Sequence, residues 1–564
     1  MVLKGIGAAN GIQFGKAYKL EKLHFKIEKE EIFEIDIELD NLSVAIAKSK
    51  EEINLIKEIS IKKFGEETAQ VFSAHLLILE DQEMYKSIVE KITNEKVSAS
   101  YAIYKVREQF VSIFENMDND YMKERAADIK DVTDRVLAHL TRKKIPTLSL
   151  IDEEVILVSE DLTPSDTAQL DKNVVLGFVT EIGGQTSHTA IMARALEIPA
   201  IVGTKTLMES VVNDDYLIID GDEGIVIINP TKDELETYHS KKSKLDEKHK
   251  LLQEYVDKKT LTVDGKEIEL VNNIGSAEEV ESVIKNGAEG VGLFRTEFLF
   301  MGRTNFPTEE EQFVAYKKVL ETMGDKTVVI RTLDIGGDKE LSYFKMNKEL
   351  NPFLGVRAIR LCLDRVDIFS TQLRALLRAS KYGNLHIMFP MIATINELRE
   401  AKTILNKCKH ELIDEGYEIG VYKVGMMMEI PSAAISADIF ASEVDFFSIG
   451  TNDLIQYTMA ADRMNEGVSY LYQPYNPSIL RLIKNVIDSS HNAGIWTGMC
   501  GEMANDFKAI PILLGLGLDE FSVSPSLTLE VRKLLSTLNK STLKEKANKA
   551  LTLASAEEVK ALYE

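Results

Sequence analysis

The feature that most constrains this fold is a regular alternation of apolar runs and helical segments that begins after residue 260. Eight of the runs have the length and composition of buried strands: IELVNN, GVGLFR, TVVIRTLD, LHIMFP, KVGMMME, DFFSIG, IWTGMC and EFSVS. Eight strands with crossover helices, in about 300 residues, are what a (β/α)8 TIM barrel requires. We therefore predict such a barrel over residues 260–564.

Local signals in this region agree with helices between the strands. Ser276 with Glu279, and Thr308 with Glu311, have the spacing of helix-capping boxes. Gly287 fits the end of a helix, because glycine readily adopts the left-handed conformation found there. These positions predict two helix starts and one helix end.

Polar residues follow several of the predicted strands, at the barrel end where active sites of this architecture lie. They are Asn272, Asn273, Arg295, Arg331, Asp334, Glu429, Asn452, Asp453 and Cys500. Arginine matches phosphate and carboxylate bidentately, and carboxylates are hard ligands that suit Mg²⁺. Together they predict a site for a small phosphorylated acid and a metal. Taken singly, each has a structural alternative, such as a surface ion pair for Arg295, a helix cap for Glu429 or an inert buried thiol for Cys500.

The segment before the barrel changes character several times. Short β-type runs at both of its ends enclose a long helical region, and a charged stretch without glycine or proline follows. We predict a multidomain chain with an α/β domain, an inserted α-helical bundle, a solvated linker helix and the C-terminal barrel. The predicted boundaries are 1–25 with 147–230, 26–146, 231–259 and 260–564.

The charge balance restricts the partners of this chain. Lys and Arg total 67 against 90 Asp and Glu, which gives a net charge of −23. This charge argues against nucleic acid and suits a basic protein partner. The three cysteines form no CxxC pair, and there is no secretory leader or long apolar run. We therefore expect a cytoplasmic protein without membrane insertion.

A histidine at a helix entrance is the most unusual residue of the α/β region. In GGQTSHTAIMAR, Thr186 or Ser187 can cap a helix, which puts His188 in its first turn. The positive end of the helix dipole keeps the ring neutral and stabilises an anion placed on it. His188 could therefore accept a phosphoryl group. The alternative is a capping-region histidine without a chemical role.

Several long motifs in this chain resemble one enzyme family. GGQTSHTAIMARALEIPAIVG resembles the phosphohistidine signature of the phosphoenolpyruvate-utilising enzymes, and DFFSIGTNDLIQYTMAADR resembles their second signature. YMKERAADIKDV, GLFRTEFLFMGR, RTLDIGGDKE and NPFLGVRAIR are similar to the Enzyme I branch, which serves the bacterial sugar phosphotransferase system. The similarity runs from end to end. Asn10 and Gln185 depart from the pattern, since many relatives have proline at the first position and some have arginine at the second.

The resemblance implies an activity. Phosphoenolpyruvate would phosphorylate His188, with Mg²⁺ held by Glu429 and Asp453, and Cys500 would protonate the enolate to give pyruvate. Thr167 would orient the histidine ring. The implied substrate-binding residues are Arg295, Arg331, Lys339, Arg357, Asn452, Asp453 and Arg463.

The resemblance also implies partners. The phosphoryl group would pass to the phosphocarrier protein HPr, and the phosphohistidine domain would swivel between the barrel and HPr. The family forms homodimers through the barrel. The implied HPr-binding residues are Glu66, Glu67, His75, Asp81 and Arg125.

Three alternatives remain. A pyruvate phosphate dikinase or phosphoenolpyruvate synthase would need a nucleotide-binding domain, where this chain has the helical insert. A regulatory or scaffold protein with this fold would be expected to lack His188, Glu429 or Cys500, and all three are present. A carrier-binding adaptor without turnover would differ in failing to take up phosphate from phosphoenolpyruvate.

Overall fold

The structure is a computed structural model that describes most of the chain. The residues outside the description are 21–24, 26, 65–68, 116–119, 144–147, 149–150, 152, 164–165, 168–169, 172, 185–188, 191–192, 194–197, 302, 304, 338, 340, 342, 345, 348 and 564, together with the side chains of 62–64, 70, 115, 120–125, 127, 249 and 466. The chain divides into two compact units, Met1–Asp246 and Glu247–Glu564.

The first unit contains an eight-stranded mixed sheet in the order β1-β8-β7-β3-β4-β5-β6-β2. Its strands are β1 Val2–Lys4, β2 Ile6–Ala9, β3 Ile12–Leu20, β4 Val155–Ser159, β5 Val175–Thr180, β6 Ala200–Val202, β7 Tyr216–Asp220 and β8 Ile225–Ile228. The four strands β3, β4, β5 and β6 run parallel to one another, and β7 and β2 flank them in the antiparallel direction. Apolar clusters on both faces bury β4 completely, which explains its continuous apolar run.

Helices of the inserted region lie between β3 and β4 in the chain. Among the described residues they are α1 Ile35–Phe64, α2 Gln70–Leu79, α3 Gln82–Glu95, α4 Ala99–Glu115 and α5 Asp120–Thr141. Their apolar faces enclose a core of their own that includes Leu42, Ile92 and Leu137. The helical character predicted for this region is confirmed.

Two further helices end this part of the chain, α6 Leu207–Ser210 and α7 Lys232–Gln253. A helix forms where the solvated linker helix is predicted, and no residue in its first half is fully buried, but one face of that half packs against the sheet. His239 stacks on Phe14 with ring centroids 4.2 Å apart, and Lys241 Nζ lies 2.5 Å from the buried carboxylate of Asp220. Leu235 and Tyr238 also pack against the sheet. A few apolar side chains on one face are enough to dock a helix whose composition is dominated by charge.

The second unit is a closed barrel of eight parallel strands, as predicted. The strands are β9 Glu269–Ile274, β10 Gly290–Arg295, β11 Thr327–Arg331, β12 Asn384–Phe389, β13 Tyr422–Met428, β14 Phe446–Ile449, β15 Trp496–Met499 and β16 Glu520–Val523. They follow one another around the barrel in chain order, and β16 closes it against β9. All carboxyl ends of the strands therefore meet at one face.

Helices follow most of the barrel strands. They are α8 Val280–Lys285, α9 Glu309–Met323, α10 Ile359–Asp364, α11 Val366–Ala379, α12 Ile395–Asp414, α13 Pro431–Ile435, α14 Ala437–Ala441, α15 Thr451–Met459, α16 Pro477–Ala493, α17 Ile510–Leu516, α18 Thr528–Leu535, α19 Lys540–Ala550 and α20 Ala556–Tyr563. No helix of the described chain combines the length and apolar character that crossing a membrane demands.

The predicted helix boundaries had mixed outcomes. Thr308 and Glu311 form a complete capping box at the start of α9. The box predicted at Ser276 is wrong, because α8 begins only at Val280 and Glu279 instead accepts a hydrogen bond from the Gly275 amide. The helix end predicted at Gly287 is confirmed, because α8 ends two residues earlier and Gly287 has φ +64°. A Cβ at this position would lie 2.0 Å from the Val256 carbonyl oxygen.

Candidate active site

A cavity of about 360 Å³ opens at the carboxyl ends of the barrel strands. Arg295 and Arg331 are the last residues of β10 and β11, and Cys500 directly follows β15. Every barrel residue that the family resemblance assigned to substrate, metal or proton transfer lines this cavity: Arg295, Arg331, Lys339, Arg357, Glu429, Asn452, Asp453, Arg463 and Cys500. The structure thus brings together residues that are up to 205 positions apart in the chain.

Two buried acids hold three of the cations in place. Asp334 contacts Arg331 at 3.0 Å, Arg357 at 2.9 Å and Lys339 at 3.3 Å. Glu297 contacts Arg331 at 2.5 Å and Lys339 at 2.7 Å. Burial by itself would raise the pKa of Asp334, but Arg331 and Arg357 hold it well below its usual range. These side chains are therefore charged and fixed before any ligand arrives.

The cavity carries as many acids as cations, but not all of its cations are paired. Five cationic side chains face five acidic ones, Glu297, Asp334, Glu429, Asp453 and Glu502. Neither Arg295 nor Arg463 has an acidic partner within 4 Å in the described part of the chain. Their guanidinium groups remain available for an anionic ligand.

The carboxylates of Glu429 and Asp453 both line the cavity and lie close enough to affect each other's ionisation. Glu429 follows β13, and its Oε1 accepts a hydrogen bond from the Met391 amide at 2.6 Å. Asp453, in the first turn of α15, accepts two bonds from Arg357 at 3.0 and 2.9 Å. Burial, with the negative charges of Asp453 and Asp334, raises the pKa of Glu429 to about 8. Glu429 is therefore largely protonated near neutral pH, and positive charge placed beside it would favour its ionised form.

The Cys500 thiol is buried beside the cavity and held from several sides. Ser448 Oγ donates to Cys500 Sγ over 3.4 Å, and Sγ lies 3.9 Å from the Ile449 carbonyl oxygen. Asn273 Nδ2 donates to the Cys500 carbonyl at 3.3 Å, while its Oδ1 accepts from Ser522. Burial raises the pKa of the thiol to about 11, so that it is protonated near neutral pH.

Models of one enzyme family match most of the chain. Residues 249–540 match the PEP-binding domain of the PEP-utilising enzymes, residues 4–125 their N-terminal domain and residues 151–224 their mobile domain. A phosphoenolpyruvate-protein phosphotransferase of Priestia megaterium is 56% identical over 99% of this chain and 97% of its own length. One from Staphylococcus aureus is 57% identical over 99% and 98%, respectively. The chain belongs to the PEP-utilising enzymes.

A solved structure is also similar to part of this PEP-utilising enzyme. It is an NMR solution structure of Enzyme I, which is 44% identical over 43% of this chain and 99% of its own, with a TM-score of 0.39.

The region of the phosphohistidine signature of PEP-utilising enzymes is described only in part. His188 and Gln185 lie outside the described residues. The next residue, Thr189, donates to the Leu162 carbonyl at 3.1 Å. Thr167 is fully buried in the same loop, where its hydroxyl donates to the Thr163 carbonyl at 3.2 Å. Thr189 therefore contacts the loop that carries Thr167.

The residues expected to bind a partner of this PEP-utilising enzyme are placed differently from one another. Glu66 and Glu67 lie outside the described residues, as does the side chain of Arg125. His75 is fully buried, with Nε2 3.2 Å from Asp128, so it supports the helical core instead of forming a surface. Asp81 is exposed, and its carboxylate caps α3 by accepting a bond from the Met84 amide.

The sequence placed two polar residues wrongly and missed several others. Asn272 and Asn273 do not line the cavity, because Asn272 bonds Thr528 in the barrel wall and Asn273 is tied to β16. The cavity residues that the sequence reasoning missed are Leu293, Glu297, Phe298, Met427, Gly450, Gly501 and Glu502, and Ser448 lies just behind it. Glu297 stands two residues after a barrel strand and could have been found by that position.

Proposed function

We propose that this chain transfers the phosphoryl group of phosphoenolpyruvate to His188 and then to a histidine of the phosphocarrier protein HPr, with release of pyruvate. This is the first step of the sugar phosphotransferase system. The observation that carries the proposal is one barrel cavity that combines five cationic side chains, two carboxylates suited to a metal and a protonated thiol. The activity named for the relatives at 56% and 57% identity is the same.

The substrate is a small trianion, and the cavity offers two kinds of positive charge for it. Arg295 and Arg463 have unneutralised guanidinium groups and would bind its phosphate and carboxylate directly. Arg331, Lys339 and Arg357 are held by acids and would complete the binding site with little reorganisation. Asn452 lies in the first turn of α15 and would bind the substrate there, because backbone N–H groups at the start of a helix attract anions.

The carboxylates of Glu429 and Asp453 fit Mg²⁺. Their oxygens are hard ligands, and the pKa of Glu429 is raised by burial and then by the charges of Asp453 and Asp334, which a bound cation would offset. The described residues contain no group of three or more His, Cys, Asp or Glu arranged for a metal, so water and substrate oxygens would complete the shell. Glu429 and Asp453 would hold Mg²⁺, which when bound would supply positive charge to stabilise the phosphate and the enolate.

The chemistry has two steps, both balanced within the site. A ring nitrogen of His188 attacks phosphorus, so that an N–P bond forms and the P–O bond to the enolate breaks. The enolate carbon then takes the proton of the Cys500 thiol, which gives pyruvate and a thiolate that recovers a proton from water. We assign to Thr167 the orientation of the His188 ring, supported by the contact of Thr189 with the Thr167 loop.

The partner and domain assignments complete the proposal. HPr would dock on the helical insert near Glu66, Glu67, Asp81 and Arg125, whereas His75 is buried and would not touch it. Homodimerisation through the barrel, swivelling of the phosphohistidine domain and a cytoplasmic location stay predictions. The proposed domains are 1–25 with 147–230, 26–146, a linker at 231–259 and 260–564.

Incubation with ³²P-labelled phosphoenolpyruvate and Mg²⁺ tests the function. We expect an acid-labile label on the wild type, none on His188→Ala, and an undiminished label on His491→Ala, whose histidine is exposed on the barrel. Added HPr should then take up the label. A wild type without label would refute the proposal, and a label retained on His188→Ala would refute the assigned nucleophile. A label that HPr fails to remove would refute the assigned acceptor.

A further inference from the structure

Cys500 has a hydroxyl neighbour that the reaction as described does not use. Ser448 lies in β14, and its Oγ donates to Cys500 Sγ over 3.4 Å. The side chain is fully buried, and within the described chain the thiol is the hydrogen-bond partner of this hydroxyl. Buried hydroxyl groups usually bond to backbone or side-chain oxygens, so a pairing with sulfur calls for an explanation.

The geometry of this pair is fixed by the barrel. Ser448 pairs with Gly498 in the parallel ladder between β14 and β15, two residues before Cys500. Asn273 of β9 reaches past β16 and donates to the Cys500 carbonyl oxygen at 3.3 Å. A Cβ at Gly501 would lie 2.0 Å from Thr451 Oγ1, so the chain after the cysteine is also tightly constrained. The sulfur therefore has little freedom to leave the hydroxyl.

We propose that Ser448 positions the Cys500 thiol and stabilises the thiolate that forms when the thiol protonates the enolate. The inference rests on the proposed function and adds a residue to its second step. In that step the S–H bond breaks, a C–H bond forms at the methylene carbon and the electron pair stays on sulfur. A charged acceptor roughly doubles the strength of a hydrogen bond, so the Ser448 hydroxyl binds the thiolate more strongly than the thiol. The difference lowers the barrier to proton transfer.

The surroundings of the thiol make such stabilisation useful. Burial raises the pKa of Cys500, while the Ser448 hydrogen bond and the charge of Arg331 oppose that rise. Glu429 acts in the unfavourable direction. Without the hydroxyl, the thiolate would form in an apolar layer that contains Met427 and Phe446.

The exchange of pyruvate methyl protons in D₂O, followed by NMR with Mg²⁺ and the full-length enzyme, tests the inference. By microscopic reversibility the thiolate removes these protons in the reverse reaction. Loss of one hydrogen bond to a charged sulfur predicts about tenfold slower exchange in Ser448→Ala. Ser448→Thr keeps the hydroxyl and should restore the rate to within about threefold of the wild type. Ser490→Ala, which removes a buried hydroxyl in α16, should exchange at the wild-type rate.

A double-mutant comparison separates positioning from a purely structural role. In a Cys500→Ala background, where water supplies the residual exchange, Ser448→Ala should slow exchange by less than about twofold. Equal losses in both backgrounds, or a wild-type rate in Ser448→Ala, would overturn the inference. Should Ser448→Ala fail to fold, Ser448→Cys keeps the size with a weaker donor, and a wild-type rate in that variant would count against it equally. A wild type that takes no label from phosphoenolpyruvate would instead refute the proposed function.

Discussion

Asp334 offers a direct test of the buried charge network in the cavity. It is 1% exposed and contacts Arg331, Lys339 and Arg357 within 3.3 Å. Asparagine keeps the shape of the side chain but removes its charge, so three cations lose their shared partner. Removing one member of a buried ion pair typically costs about 3–5 kcal/mol. We expect Asp334→Asn to lower the free energy of unfolding of the barrel by that amount.

The single tryptophan of the chain makes the measurement specific to the barrel. Trp496 lies in β15 and stacks on Phe446 with ring centroids 4.8 Å apart, so its fluorescence reports on barrel unfolding. For a urea slope of about 3 kcal/mol per molar, the expected loss lowers the midpoint by about 1 to 1.7 M. The matched control is Asp367→Asn, which breaks an exposed bidentate pair with Arg365.

The control defines the result that would refute this reasoning. Exposed ion pairs contribute about 0–1 kcal/mol, so Asp367→Asn should shift the midpoint by less than about 0.3 M. If Asp334→Asn shifts the urea midpoint no further than Asp367→Asn, water must solvate the three cations adequately when Asp334 is neutral. The conclusion that buried ion pairs fix these cations before a ligand binds would then be wrong.

Three further predictions concern other parts of the barrel. Arg295→Met and Arg463→Met should each weaken phosphoenolpyruvate binding at least about tenfold in a calorimetric titration. Neither arginine has a described acidic partner, so both variants should leave the urea midpoint nearly unchanged. A large loss of stability in either variant would contradict this. Gly501→Ala should reduce turnover by more than about tenfold, because its Cβ would lie 2.0 Å from Thr451 Oγ1 and the loop would have to move; near-normal turnover would show that the loop adapts. Burial and nearby acids raise the pKa of Glu520 well above its ordinary value, so its contribution to stability is present at low pH and is lost as pH rises through that folded-state pKa. Urea midpoints measured from about pH 5 to 9 should therefore fall less steeply in Glu520→Gln than in the wild type, and parallel curves would contradict the assignment.

Much of the cavity could be predicted because its residues occupy strand ends. Arg295 and Arg331 end β10 and β11, Glu429 follows β13 and Cys500 follows β15. The alternation of apolar runs with helices implies a barrel, and a barrel implies that these positions meet at one face. Lys339, Arg357 and Arg463 lie in loops, where no periodicity constrains a side chain. Only the family resemblance indicated them.

Other residues could not be placed from the sequence, because their surroundings come from distant parts of the chain. His75 stands in an amphipathic helix and could face solvent or core, and its burial follows from the packing of α2 against α5. Ser448 follows two phenylalanines in an apolar strand, and its neighbour Cys500 is 52 residues further on. The few apolar side chains of α7 that pack against the sheet lie among many charged residues, so the composition of this segment did not show that the sheet would contact it.

The sequence by itself determined the kinds of element, their order and the closure of eight strands into a barrel, because periodicity and turn residues act over a few neighbouring positions. The tertiary structure decided which charges are neutralised and which remain available. Asp334 pairs with Arg357 at a separation of 23 residues, and Arg357 pairs with Asp453 at 96. Such pairs depend on distances of a few ångströms between residues on different strands and loops. Electrostatic energies change steeply over these distances once water is excluded, so only the folded chain distinguishes a structural arginine from one that can bind a substrate.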